Sequence, residues 1–376
     1  MKIGFVLDDG LDKPDGVQQY ILTLGAWLTV EGHKVRYLVG QTKRRDIDGL
    51  YPIPRNIRVR FNGNALSIPL PASTKKIKAV LADEQFDVLH VQMPYSPFFG
   101  AKVIRQADPC TAVVGTFHIM PYGFVSTIGT HLLGLWLRRS LHRFNAFISV
   151  SKPAAEFSKR TFGIESKIVP NMVTLAEFRP LKARQSSKKD FQILFLGRLV
   201  QRKGCQQLLQ ALKILHDRGQ LPAELSVNIC GDGQLREELE SYVCQNGLSS
   251  VVLFHGFVTH TQKIAFMQSA DLAVFPSLAG ESFGIVLIEA MAAGSGVVLG
   301  GDNPGYRSVL GTIPETIVDA HNPFVLARQL ADLIENDKKR LELHKCQQEL
   351  VQQFDTAVVG GTLLKLYKAN SLQAKL

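Results

Sequence analysis

Two carboxylates stand eight positions apart, Glu281 and Glu289, separated by a Phe283-Gly284 turn and an apolar run that continues to Gly294. Upstream, Asp271 to Ser277 reads as a buried strand stopped by Pro276. The run from Phe283 to Ala293 reads as a helix that Gly294 ends. On this reading Glu281 sits in a loop at the carboxyl end of a strand. Glu289 then lies about two turns into the helix, at ~1.5 Å rise per residue. The amides of Ser282, Phe283, Gly284 and Ile285 form the helix amino terminus, whose unpaired N–H groups suit a phosphate. A loop carboxylate, an anion-binding helix start and a second carboxylate make a cradle for a sugar, a diphosphate and a nucleoside in that order. The same spacing also fits a plain βα unit with a capping Glu281 and a surface Glu289.

Other residues offer compatible chemistry. Gly197 and Arg198 directly follow an apolar run, with Arg202, Lys203 and Gly204 next. A glycine turn carrying Arg198 and Lys203 can bring two cations onto a diphosphate, Arg by its planar fork and Lys as a point charge. Read alone, the same loop is a basic surface turn. Gly231-Asp232-Gly233 and the stretch Gly256 to Lys263 also follow strands, where open α/β sheets bind ligands. Near the start, Gly16 at the entry to a helix lets a phosphate approach the backbone. It is not a dinucleotide fingerprint, because no third glycine follows at the required spacing. His118 ends a strand that contains Gly115 and Thr116.

These residues need a scaffold, and the chain spells one out. Short apolar runs alternate with helical patterns, the mark of parallel βαβ layers. Strands are expected at Ile3–Leu7, Val35–Val39, Ile57–Phe61, Val88–Val91, Ala112–Thr116 and Ala146–Val150, then at Phe191–Gly197, Leu225–Cys230, Val251–Phe254, Leu272–Phe275 and Val297–Leu299. A break at Pro170-Asn171 and a charged stretch up to Asp190 divide the two series. With 376 residues, two α/β domains in series are expected, each with a parallel sheet: 1–171 and 172–354. The segment 355–376 is expected to form a helix that packs back on the first domain, weak in its middle at Gly360-Gly361.

Composition narrows the class. With 45% apolar residues and no apolar stretch of the roughly 20 residues that span a bilayer, the chain reads as soluble. The start turns acidic at Asp8 and Asp9, too early for a signal peptide. Five cysteines show no metal-type spacing, which points to reduced thiols in the cytoplasm. Residues 1–180 carry 23 Lys and Arg against 14 Asp and Glu, whereas residues 181–376 carry 20 against 19. An anionic partner should therefore meet the first domain. Lys75, Lys76 and Lys78 lie opposite Ile77, Val80 and Leu81 on one amphipathic helix, and Trp136, Arg138 and Arg139 belong to a second basic, apolar segment. Either could rest on an anionic membrane. Each also fits an ordinary helix with a solvated charged face.

Taken together, Asp15 to Gln18, Thr116 to His118, Pro170-Asn171, Gly197-Arg198, Lys203-Gly204, Gly231 to Gly233 and the pair Glu281 and Glu289 resemble the family 4 retaining glycosyltransferases of the two-Rossmann GT-B type, over nearly the whole chain. Ile3 to Gln18, Asp87 to His90 and Glu281 to Gly294 are most similar to the phosphatidylinositol mannosyltransferases. The resemblance implies two parallel sheets facing an interdomain cleft. It implies that Arg198 and Lys203 neutralise the donor diphosphate, that Glu281 orients the transferred sugar and that Glu289 accepts from the ribose. Val258 and Lys263 would lie beside the base, Gly16 would meet the phosphates and His118 the reacting sugar. Gln18 and Tyr95 would face the acceptor. The helix with Lys75, Lys76 and Lys78 corresponds in place to that group's membrane-binding helix.

The chain departs from the family pattern in a few places, the acceptor side among them. Asp15-Gly16 stands where the family has Gly-Gly, Met172 where it has Gly, and Met93 and Tyr95 where the inositol-lipid group carries acidic and Asn residues. The expected activity is retaining transfer of a hexose, first of all mannose from GDP-mannose, to a lipid or lipid-linked acceptor. The protein would be cytoplasmic and peripheral on the inner face of the cell membrane. No cofactor, catalytic metal or nucleic acid is expected. The alternatives are a nucleotide-sugar epimerase on the same fold and a non-catalytic basic membrane-binding module.

Overall fold

A computed structural model of the chain describes residues 1–12, 15–61, 64–118, 137, 140–179 and 190–374. It has two compact units, Met1–Met172 with Thr356–Leu376, and Val173–Asp355. The first contains strands β1 (Lys2–Leu7), β2 (Lys34–Val39), β3 (Leu50–Pro52), β4 (Asn56–Phe61), β5 (Asn64–Pro69), β6 (Val88–Gln92), β7 (Ala112–Phe117), β8 (Ala146–Ser149) and β9 (Lys167–Ile168). All but β4 and β5 form one parallel sheet in the order β3-β2-β1-β6-β7-β8-β9.

Strand periodicity of two explains the layers. Ile3, Phe5 and Leu7 pack with Tyr20, Ile21, Leu24 and Leu28 of the helix Gly16–Val30 and with Val359, Leu363 and Tyr367 of the helix Thr356–Ala374. Val6 points the other way, into a layer with Leu38, Val91, Ile77, Phe99 and Val103. In the helix Thr74–Glu84, Ile77 is buried and Val80 and Leu81 pack on that layer, while Lys75, Lys76 and Lys78 are exposed. Its last turn is fixed by Glu84, which takes Lys2 at 3.0 Å, Arg36 at 2.6 Å and the Tyr51 hydroxyl at 2.5 Å. Burial pushes the Glu84 carboxyl up, but these three partners outweigh it and hold the group down at about 2. Among the described residues no helix is long and apolar enough to cross a membrane. Trp136, Arg138 and Arg139 lie outside the described residues.

Two expectations need correction. The strand expected at Ile57–Phe61 forms, but it pairs antiparallel with β5 instead of joining the parallel sheet. Only residues 62 and 63 separate the two strands, whereas a parallel crossover needs a dozen or more. Gly360-Gly361 does not weaken the final helix, which runs unbroken from Thr356 to Ala374. A Cβ at Gly360 would lie 2.5 Å from the Trp27 ring. The glycine is there because two helices approach closely, and tertiary packing compensates for its poor propensity.

The second unit contains β10 (Phe191–Leu196), β11 (Leu225–Cys230), β12 (Val252–Gly256), β13 (Leu272–Phe275), β14 (Val297–Gly301) and β15 (Ile317–Val318). They form a parallel sheet ordered β12-β11-β10-β13-β14-β15. In both sheets the strand order reverses beside the first strand: β1 lies between β2 and β6, and β10 between β11 and β13. Open parallel sheets bind ligands at such a reversal, outside the carboxyl ends of the strands. The loops after β1, β6, β10 and β13 are therefore the ones that matter.

The two adjacent glycines of the last helix should behave oppositely. Gly360→Ala overpacks the Trp27 contact and should cost ~1–3 kcal/mol of stability. Gly361 has nothing within 4 Å of its would-be Cβ, so Gly361→Ala should be neutral or stabilising by up to ~1 kcal/mol. Urea unfolding of both variants checks this, and equal effects would mean that the Trp27 contact is not the reason for Gly360.

Candidate functional site

In the second unit the loops after β10 and β13 are locked together. Gly204 adopts φ +74°, and a Cβ there would lie 1.9 Å from the Pro276 carbonyl oxygen, so only glycine allows the approach. The Leu278 amide then donates to the Arg202 carbonyl at 2.8 Å. This brings Arg202 to 2.9 Å, Lys203 to 2.8 Å and the Ser277 hydroxyl to 2.7 Å from Glu281 Oε1. Burial pushes the Glu281 carboxyl up, but Lys203 above all, with Arg202 and Ser277, holds it below its ordinary value. Burial pushes Lys203 down; Glu281 opposes this, while Arg202 and Arg198 add to it. Arg198 itself is exposed on the same loop. Two cations on one carboxylate, with Arg198 on the same loop, leave the site electropositive, as an anion site requires. The neighbouring turn is tight too: a Cβ at Gly231 would lie 1.9 Å from the Gly197 carbonyl oxygen, and one at Gly233 2.4 Å from that of Leu199.

After Glu281 and the half-buried Ser282, Phe283 turns inward, edge-on to Phe354 with ring centroids 5.7 Å apart. Gly284 has φ +111°, and a Cβ there would meet the Tyr306 ring at 2.6 Å. The helix consequently runs Ile285–Ala292, two residues later than its expected start. Glu289 is its fifth residue, about one turn in and not two. It is buried, and its Oε1 accepts from Lys263 at 2.7 Å. Lys263 also stands 5.5 Å over the Phe178 ring. Its helix, His260–Ser269, starts at a Thr259–Gln262 capping box, and Val258 just before the cap is half-buried.

In the first unit, His118 follows β7 and is buried. Its Nε2 lies 2.7 Å from Gln92 Oε1, and the Gln92 amide donates to the His90 carbonyl at 3.3 Å. Because Oε1 can only accept, Nε2 of His118 carries the proton and Nδ1 is the acceptor of the ring. Tyr20 meets His118 edge-on at 4.9 Å. Deeper in, His90 lies 2.5 Å from Thr116 Oγ1 and 2.6 Å from the Tyr367 hydroxyl on the last helix. Burial drives both imidazoles down to about 3, with His118 adding to the effect on His90.

The remaining expected residues separate. Gly16 opens its helix and is exposed behind an extended, exposed Asp15. Gln18 is buried, its amide on the Gly10 carbonyl at 3.3 Å and Asp9 at 3.5 Å. The Tyr95 ring belongs to an aromatic cluster, stacked on Phe117 and Phe162 at 5.8 Å each. Sequence reasoning gave Arg202 no role of its own and missed Ser277 and Tyr306. Arg202 and Ser277 lie inside segments already singled out, and only their contacts reveal them. Tyr306 had no sequence signal.

A family model described as Glycosyl transferases group 1 matches residues 179–349, and one described as Glycosyltransferase Family 4 matches residues 14–177. A phosphatidyl-myo-inositol mannosyltransferase of Mycolicibacterium smegmatis is 30% identical over 379 residues, covering 99% of this chain and 94% of that protein. A D-inositol 3-phosphate glycosyltransferase of Paenarthrobacter aurescens is 29% identical over 209 residues, 54% of this chain and 51% of its own. Among solved structures, a glycosyltransferase from Rickettsia africae aligns with TM-score 0.75 at 15% identity over 98% of both chains. Anabaena HepE in complex with UDP aligns with TM-score 0.73 at 18% identity, over 98% of this chain and 100% of that one. These last two show the GT-B fold.

The buried histidines make a prediction about pH. Both are held near 3 when folded and titrate near 6.5 when unfolded, so the folded state favours the neutral rings. Their contribution to stability is present above about 6.5 and is lost as pH falls toward 3. Imidazole NMR at pH 5 should show both rings neutral, with His118 protonated on Nε2. A charged ring at that pH would overturn the neutral state, and a proton on Nδ1 of His118 would overturn the tautomer.

Proposed function

Because this chain belongs to the family 4 glycosyltransferases, we propose that it moves a hexose, with retention, from a nucleoside-diphosphate sugar to a lipid or lipid-linked acceptor. The observation that carries this is the convergence of Arg202, Lys203 and Ser277 on Glu281 at the strand-order reversal, four positions before a helix start. Lys203 with Arg198 would neutralise the diphosphate, assisted by the amides around Ser282 to Ile285. Glu281 would receive the transferred sugar, and Glu289 the ribose, beside Lys263 and Val258. In the family's usual mechanism the departing phosphate takes the proton of the acceptor, so no protein nucleophile is needed. His118, neutral and buried, would act as a hydrogen-bonding group toward the sugar and not as an acid.

The curated relatives named for mannosyl transfer to phosphatidylinositol favour GDP-mannose and a lipid acceptor. The exposed Lys75, Lys76 and Lys78 favour an anionic membrane surface and a peripheral location on its cytoplasmic side. No nucleic acid or cofactor enters this reading. A donor panel of GDP-mannose, UDP-glucose, UDP-galactose and UDP-N-acetylglucosamine with liposomes of defined lipids tests it. Consumption of donor without any acceptor would point to epimerisation, and no nucleotide binding at all would point to a basic membrane module.

Lys203→Ala should lower turnover ~10²–10³-fold, the usual effect of losing one preorganised charge at a developing anion. Glu289→Gln should weaken nucleoside diphosphate binding in calorimetry, whereas Glu281→Gln should leave it intact and lower transfer. Equal effects of the two carboxylate changes would mean that their roles are misassigned.

A second test concerns the membrane. Each Lys near an anionic surface is worth ~1 kcal/mol and fades beyond a Debye length. Replacing Lys75, Lys76 and Lys78 together by Ser should reduce sedimentation with anionic vesicles, most clearly at low salt, with nucleotide affinity unchanged. Wild-type sedimentation of the triple variant would leave this helix as a core helix with a solvated face.

A further inference from the structure

Three donors reach Glu281, and all of them fall on the same oxygen. Arg202 Nη1, Lys203 Nζ and Ser277 Oγ lie 2.9, 2.8 and 2.7 Å from Oε1. Among the described residues no hydrogen bond falls on Oε2. Ser277 has a single proton and two acceptors in reach, Glu281 Oε1 at 2.7 Å and the Arg202 carbonyl at 3.0 Å. The shorter bond to the charged acceptor takes it. Ser277 and Glu281 thus form a short directed chain. Behind this arrangement stands the fully buried ring of Tyr306.

The chain is held from behind. Asn303 donates to the Ser277 carbonyl at 3.0 Å, and its Oδ1 accepts from the Tyr306 amide at 2.9 Å. A Cβ at Gly305 would lie 2.2 Å from the Glu281 carbonyl oxygen, so this backbone is pressed against that of Glu281. The Tyr306 ring also lies against Gly284, where the helix start is set. One side chain therefore backs both the carboxylate and the anion-binding turn.

We propose that Ser277 and Tyr306 are positioning residues which present Glu281 Oε2 as the single acceptor for one hydroxyl of the transferred sugar, and thereby set discrimination among hexoses. This rests on the donor-site reading above. A carboxylate oxygen fixed in this way accepts from a hydroxyl in one direction only. A hexose whose hydroxyl points elsewhere leaves that oxygen without its donor, and sites built for a hydroxyl reject analogues lacking it strongly.

The test compares wild type, Ser277→Ala, Ser277→Thr and Tyr306→Phe. Tyr306→Phe keeps the ring that packs on Gly284, so loss of folding is not the expected outcome. Calorimetry is run with GDP and GDP-mannose, and with UDP and UDP-glucose. Affinity for the nucleoside diphosphate should stay within about twofold, while the ratio of nucleotide-sugar to nucleotide affinity should fall about tenfold in Ser277→Ala, the size of a hydrogen bond to a charged group, and should be kept in Tyr306→Phe, whose ring still backs the turn. Ser277→Thr should restore it. In transfer assays with donors deoxygenated at each hydroxyl in turn, the kcat/KM deficit of Ser277→Ala should vanish for one analogue and persist for the others. Equal losses of nucleotide and nucleotide-sugar affinity, or a deficit that is the same on every deoxy donor, would reduce both residues to a structural role. A sugar-dependent affinity without transfer to any acceptor would sink the transferase reading and leave this one standing.

Discussion

The second unit is organised around a charge problem. Glu281 and Lys203 are both largely withdrawn from water, and neither can stay charged there without a partner. Arg202, Lys203 and Ser277 converge because burying the carboxylate alone would be costly, and so the backbone must bring two loops within touching distance. Gly204 against Pro276 and Gly305 against Glu281 are the places where that closeness excludes any side chain. The strand order makes the arrangement possible, since β10 and β13 are neighbours although 75 residues separate Leu196 from Leu272. Sheet topology, glycine positions and ion pairs are thus three aspects of one requirement.

The first unit solves the matching problem with neutral groups. Burial leaves His90 and His118 uncharged, and each must find hydrogen-bond partners. Gln92, Thr116 and Tyr367 provide these. Tyr367 arrives on the last helix, from the far end of the chain. That helix can lie close enough only because Gly360 lets it rest on Trp27.

The loop after β6 is strained in a physically readable way. Met93 holds φ +54°, a conformation that bulky residues rarely adopt. Tyr95, two residues on, is drawn into stacking with Phe117 and Phe162. Such strain at the end of a central strand is commonly stored at functional sites.

The sequence by itself determined the two-sheet architecture, the strand that precedes Glu281 and the glycine that ends the helix after it. These follow from local periodicity and backbone preference, which act within a few residues. It also offered Glu281, Glu289, Lys203 and Lys263 as candidates, but as separate residues. Tertiary structure alone decided that Lys263 meets Glu289 and that Arg202 shares Glu281 with Lys203, because those pairs are 26 and 79 positions apart. It decided that the helix begins at Ile285, two residues late, after a Gly284 whose Cβ would meet the Tyr306 ring. It turned Ile57–Phe61 into a hairpin and gave Gly360 a purpose. Each of these depends on a partner distant in the chain, and no local pattern encodes which partner a fold will bring near.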